Sequence, residues 1–155
     1  MKKYYTLFLG LFLLSINAFT QTTSPTIIDA DQLANDFASY VVIDISKEER
    51  FQEESIKGAL HFTRSTISNT EGPYGGLIAS QEKLETLFSD LGITSTDKIV
   101  TYDHKGGSDA ARLWWVLRYY GHEEVQILNG GLKAWGERNA LIDSAKTLIA
   151  PSTYS

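Results

Sequence analysis

Residues 98–135, KIVTYDHKGGSDAARLWWVLRYYGHEEVQILNGGLKAW, constrain the fold more than any other stretch of the chain. Lys98 to Tyr102 is a mostly apolar run of the kind that forms a strand covered on both faces. HKGGS follows it, polar and glycine-rich. Asp109 to Tyr120 then reads as a helix, apolar on almost every side and stopped by Gly121, which predicts burial against a sheet. Val125 to Leu128 reads as the next strand, and Gly130 and Gly131 open a further helix ending near Arg138 and Asn139. A strand, a long helix and a second strand make a crossover unit, with parallel strands and a right-handed connection.

The alternation extends upstream. Ile27 and Ile28 form a short strand candidate, followed by a helix capped by Asp29 or Asp31 with Leu33, Ala34, Phe37 and Ala38 on one face. Val41 to Ile43 is an apolar run ended by Asp44. Ser46 is the expected cap of a short helix from Lys47 to Glu54, and Ala59 to Phe62 reads as a strand. NTEGPYGG, residues 69–76, is a turn-rich loop. Ser80 caps a helix from Gln81 to Asp90, in which Leu84, Leu87, Phe88 and Leu91 recur at helical spacing before the Gly92 stop. The whole predicts an α/β domain with a central, mostly parallel sheet flanked by helices. Ligands on such sheets sit beyond the carboxyl ends of the strands, and Asp103 stands at one of them.

Residues 1–21 have the pattern of a secretory signal peptide. Lys2 and Lys3 precede the largely apolar run Thr6 to Ile16, which is too short to span a bilayer, and Asn17 to Gln21 form the cleavage region. The expected location is therefore outside the cytoplasm, periplasmic or extracellular, with no membrane attachment once the signal is removed. No cysteine follows the apolar run, which excludes a lipoprotein anchor. Loss of Lys2 and Lys3 from the 14 basic residues leaves 12 against 19 acidic ones. That balance argues against a nucleic-acid partner. The chain has no cysteine at all, so neither a disulfide nor a thiolate metal site is available. His61, His104 and His122 lack metal-ligand spacing, and no metal or other cofactor is expected. The folded domain is expected over residues 22–148.

Two separated blocks carry a family resemblance. VVIDISKEERFQEESIKGALHF, with Asp44, Gly58 and Ala59, and the later ILNGGLKAW resemble the opening and closing signatures of a rhodanese domain. Ser46 stands where that family often has Arg, Ser55 where it usually has His, and Asn129 replaces the commoner Asp. The middle block YDHKGGSDAARLWWVLRYYGH, with Arg112 to Trp115, is similar to the N-terminal domain of tandem thiosulfate and 3-mercaptopyruvate sulfurtransferases. The resemblance implies a three-layer domain with a five-stranded sheet. It also implies that Asp103 occupies the position of the family cysteine, and that a second, cysteine-bearing rhodanese domain is the natural partner. Residues 149–155 are then the start of an interdomain linker, or a C-terminal tail.

Rhodanese chemistry passes a sulfane sulfur through a cysteine persulfide, which needs a thiolate nucleophile. Asp103 cannot hold a persulfide, so no catalytic residue is assigned, and cysteine-dependent phosphatase and arsenate-reductase chemistries are excluded on the same ground. The glycine-rich loop still has the makings of an anion cradle. Its anion-binding candidates are His104, Lys105, Gly106, Gly107, Ser108 and Arg112, with a small sulfur oxyanion as the ligand. The alternative is that Asp103 fills the cradle itself as a structural turn residue, and that Arg112 pairs with Asp44 or Asp103.

Overall fold

The computed structural model describes residues 25–137 and 151–154. Strands and helices alternate as β1 (Ile27–Ile28), α1 (Ala30–Asn35), β2 (Tyr40–Asp44), α2 (Glu48–Glu53), β3 (Leu60–His61), α3 (Gln81–Asp90), β4 (Lys98–Tyr102), α4 (Ser108–Tyr119), β5 (Val125–Leu128) and α5 (Gly131–Gly136). The strands form one five-stranded sheet in the order β1-β5-β4-β2-β3. Every strand pair in it is parallel, as crossover helices between successive strands require. This is the α/β architecture expected from the sequence.

Alternation along the strands divides the core into two. Ile43 of β2 and Ile99 of β4 face the layer made by α3 and α4, where Leu84, Phe88, Leu113, Val116 and Leu117 are buried. Val42, Val100 and Tyr102 face the opposite layer, against Leu33 of α1, Phe51 of α2, and Leu132 and Trp135 of α5. Both faces of the central strands are covered, which explains why β2 and β4 read as largely continuous apolar runs rather than alternating ones.

Local signals held to different degrees. Ser80 caps α3 as expected, its hydroxyl accepting the Lys83 N–H at 3.3 Å. Ser46 does not cap α2. The cap position belongs to Lys47, and the Ser46 hydroxyl lies 3.4 Å from the Lys47 carbonyl instead. The first helix is shorter than its apolar face suggested, with Phe37–Ser39 forming a separate 3₁₀ turn. Helix α4 is less evenly buried than its composition implied: Trp115 and Tyr119 are 44% and 63% exposed. Trp114 turns inward and donates its indole N–H to the Val125 carbonyl at 3.1 Å.

The expected signal peptide, and the end of the last predicted helix at Arg138 and Asn139, lie outside the described residues. Part of the segment assigned as linker or tail is described, and it lies against α3. The Ser152 N–H donates to the Ser89 carbonyl at 2.7 Å. The Tyr154 ring packs on Phe88, with centroids 5.1 Å apart. His122 is buried behind it, with Nε2 2.9 Å from the Asp97 carbonyl and Nδ1 3.0 Å from the Tyr154 hydroxyl. A carbonyl only accepts, so Nε2 carries the proton and Nδ1 accepts from Tyr154. Burial pushes the His122 imidazole below its ordinary value, against the raising effect of Asp97 and Glu124.

The register brings the site together. Asp44, the last residue of β2, pairs with Tyr102, the last of β4, so the two chain ends leave the sheet side by side. The Tyr102 hydroxyl is buried and accepts the Ile56 N–H at 2.9 Å, tying β4 to the segment before β3. Burial, and then the neighbouring Asp44 carboxylate to which it hydrogen-bonds, push the Tyr102 phenol far above its ordinary range, so it remains a donor. Tyr102→Phe is expected to leave the Ile56 N–H unpaired and to lower unfolding stability by about 1–3 kcal/mol. Urea denaturation checks this, the midpoint falling with little change in slope.

Candidate functional site

The loop between β4 and α4 folds around the side chain of Asp103. Gly106 and Gly107 both take positive φ, 84° and 91°, a region that glycine enters without steric cost. That path turns successive backbone N–H groups inward. Lys105 and Gly107 donate to Oδ1 of Asp103, both at 2.8 Å. Asp109 and Ala110, in the first turn of α4, donate to Oδ2 at 2.9 and 3.2 Å. One carboxylate therefore takes N–H groups from the loop and from the open end of the helix, where an anion is favoured by unpaired donors and by the dipole. Asp103 is only 2% exposed. Burial alone would raise its pKa, but the four N–H donors outweigh it and hold the carboxyl below the ordinary 3.8.

A second close approach fixes the floor of the loop. Gly131, the first residue of α5, has φ 57°, and a Cβ there would stand 2.5 Å from the Asp103 carbonyl oxygen. The Leu132 N–H reaches the same carbonyl at 3.4 Å. The double glycine at 130–131 thus sets how near α5 can lie to the end of β4.

The adjacent strand end supplies a second buried carboxylate. Asp44 is fully buried. Its Oδ1 accepts the Ser46 N–H at 2.9 Å, and its Oδ2 lies 3.0 Å from Nε2 of His104. The Tyr102 hydroxyl is its third partner. His104, expected as a candidate on the loop alone, is thereby held to the neighbouring strand, sixty residues away in sequence. It lines a cleft of about 710 Å³ with Arg50, Lys105, Gly106, Leu132 and Lys133 among its neighbours.

The other sequence candidates separate. Lys105 and Gly106 are exposed and line the cleft, whereas Ser108 is exposed at the start of α4 and is not among the cleft-lining residues. The Gly107 N–H is committed to Asp103. Arg112 pairs with neither Asp44 nor Asp103. Its guanidinium donates to the Gly76 carbonyl and lies over the Trp115 ring, 5.2 Å from the centroid. It sits one full turn into α4 and belongs to the outer face of that helix. Arg64, just beyond β3, is bound to Asp109 at 2.8 Å. His61 stacks on Phe51 and contacts Glu48 at 2.9 Å. Arg50 and Lys133 were not singled out from the sequence. Each is an ordinary helix cation there, and only the packing of α2 and α5 beside the loop brings them to one cleft. Among the described residues no group of three or more His, Asp or Glu side chains is placed to hold a metal ion.

A parallel five-stranded sheet with a glycine-rich loop wrapped around the residue after the central strand defines a class of domain. The chain matches the rhodanese-like domain family over residues 29–138 and belongs to that family. It is 31% identical to the human 3-mercaptopyruvate sulfurtransferase over 121 residues, covering 76% of this chain and 41% of the relative. It is 33% identical to a thiosulfate sulfurtransferase of Pseudomonas aeruginosa over 113 residues, covering 72% of this chain and 42% of the relative. The chain thus spans about two-fifths of the length of these relatives. In structure it superposes on the 3-mercaptopyruvate sulfotransferase SseA of Escherichia coli with a TM-score of 0.75 and 24% identity, over 83% of this chain and 54% of the other. The sequence is that of a sulfurtransferase-family domain without a cysteine.

Asp103→Ala removes the acceptor of four N–H groups and is expected to cost roughly 2–4 kcal/mol of stability. Asp103→Asn keeps one acceptor oxygen and should cost less. Because the folded-state pKa of Asp103 lies below its ordinary value, its contribution is complete above the unfolded-state value and is lost as pH falls through the folded one. The stability gap between wild type and Asp103→Asn should therefore narrow on acidification below about pH 4. Thermal melts of both proteins across that range check the sign.

Proposed function

We propose that this chain is the non-catalytic rhodanese-like part of an exported sulfurtransferase of the thiosulfate/3-mercaptopyruvate type, scaffolding a second domain that carries the cysteine. The observation that carries this reading is the Asp103 carboxylate seated on four N–H groups, two from the loop and two from the first turn of α4. In the active chemistry those donors would face a sulfur nucleophile. Here they are occupied by a side chain that is already an anion and cannot carry sulfane sulfur. The loop has kept its shape while losing its reactant.

Two further facts support a scaffolding role. The relatives are more than twice as long as the stretch matched. Trp115 and Tyr119 stack on the outer face of α4 with centroids 5.4 Å apart and remain exposed, a surface suited to burial against another domain. Export rests on the N-terminal signal pattern. A second reading, a stand-alone pseudoenzyme that binds a small anion or a protein, is favoured by the cleft beside the loop, which Arg50, Lys105 and Lys133 line.

The purified chain is expected to show no thiosulfate-to-cyanide sulfur transfer. Turnover that Asp103→Ala abolishes would overturn the non-catalytic assignment. DNA downstream of the Ser155 codon encoding a cysteine-loop rhodanese domain would favour the scaffold over the stand-alone reading.

A further inference from the structure

Four N–H groups of the loop and the first turn of α4 are taken by Asp103, so an anion arriving at this end of the sheet needs side chains to hold it. The cleft of about 710 Å³ beside the loop supplies them. Arg50 from α2, Lys105 from the loop and Lys133 from α5 all line it. Arg50 and Lys133 make ion pairs with Glu53 and Glu137, in both cases between largely exposed side chains. Exposed pairs of this kind are weak and are readily exchanged for a better partner. Lys105 has no carboxylate partner among the described residues. Glu54 and Glu137 also reach the cleft, so it is not uniformly positive, and a ligand with both donor and acceptor groups fits it better than a bare anion.

His104 makes that preference specific. Its Nε2 is committed to the buried Asp44 carboxylate at 3.0 Å. Asp44 accepts from Ser46, Tyr102 and His104 and is sealed from water, so in the neutral ring the proton sits on Nε2. Nδ1 is then a lone pair. It has no hydrogen-bond partner among the described residues, and it is not one of the orphaned nitrogens sealed from solvent, which are Arg112 Nε and Trp135 Nε1. With His104 lining the cleft, Nδ1 is an acceptor offered to its contents, locked in orientation by the carboxylate behind it.

We propose that the cleft binds a small anion that carries its own hydrogen-bond donor, a singly protonated oxyanion or a hydroxy or thiol acid. Lys105, with Arg50 and Lys133, receives the charge, and His104 Nδ1 accepts the donor. His104 contributes selectivity rather than charge attraction. A ligand of the same shape and charge but lacking the donor sets an acceptor lone pair of its own against that of Nδ1, a mismatch that a site built to accept a hydrogen bond rejects strongly. The site uses side chains on the outside of the loop, not the N–H groups that Asp103 holds, and it rests on the anion-binding reading of the cleft.

Hydrogenphosphate and sulfate have the same shape and charge at about pH 8 and differ by one proton. Isothermal titration of the full chain with each is expected to give hydrogenphosphate the tighter binding by about tenfold, and glycolate should exceed acetate in the same direction. His104→Gln can still donate to Asp44 and offer an acceptor, and should keep the preference. His104→Ala should bring the members of each pair to within about twofold, while Lys105→Met weakens both members alike. Should His104→Ala fail to fold, the wild-type protein still decides: the ¹⁵N resonance of His104 Nδ1 should shift on adding hydrogenphosphate and not on adding equal sulfate. Equal binding of hydrogenphosphate and sulfate, no binding of either, or a preference that survives His104→Ala overturns the proposal.

Discussion

The Asp103 carboxylate is the fixed point of this domain. It stands at the end of the central strand, it is buried, and its four N–H partners come from a glycine-rich loop and from the first turn of the longest described helix. An ionised group out of water is tolerated only when its acceptor sites are filled. Filling them fixes the backbone path from β4 into α4, and that path positions His104 over Asp44 and turns Lys105 outward. The close contact of Gly131 with the carbonyl of the same residue then brings α5 to the site. Loop shape, helix start and cleft wall thus all follow from the placement of one side chain.

This arrangement also separates the geometry of the loop from the chemistry at its centre. The geometry of a reactive loop is a property of backbone, and here it is maintained by a side-chain acceptor. The chemistry is a property of the atom at the centre, and a carboxylate oxygen is a hard, weakly nucleophilic atom. The side chains around the loop are open to a ligand, and they can carry selectivity that the Asp103 carboxylate cannot.

Much of the fold was legible in the sequence because the sheet is covered on both sides. Val41 to Ile43 and Lys98 to Tyr102 have the apolar continuity that only such burial requires, and Gly92 and Gly121 mark helix ends by their positive φ. Asp103 was legible as the central residue of the site from its position after a strand and before two glycines. The Asp44–His104 pair was not, because it joins residues sixty positions apart and depends on the β2–β4 register. Arg112 was misjudged for a related reason. Its sequence neighbours placed it at a helix start near two acids, but the loop ending at Gly76 offers it a carbonyl from outside the sheet. Ser46 has the composition of a helix cap, yet its backbone N–H is taken by Asp44, and the chain begins α2 one residue later.

The two edge strands, Ile27–Ile28 and Leu60–His61, are two residues each. An edge that short offers almost no unpaired backbone for another chain to extend, and short edges are one way proteins avoid strand-to-strand association. A molecule that recognises this domain therefore meets side chains on helices and loops, not a free ladder of peptide groups. Its recognition depends on shape and surface chemistry that can drift residue by residue, while the sheet beneath stays closed to growth.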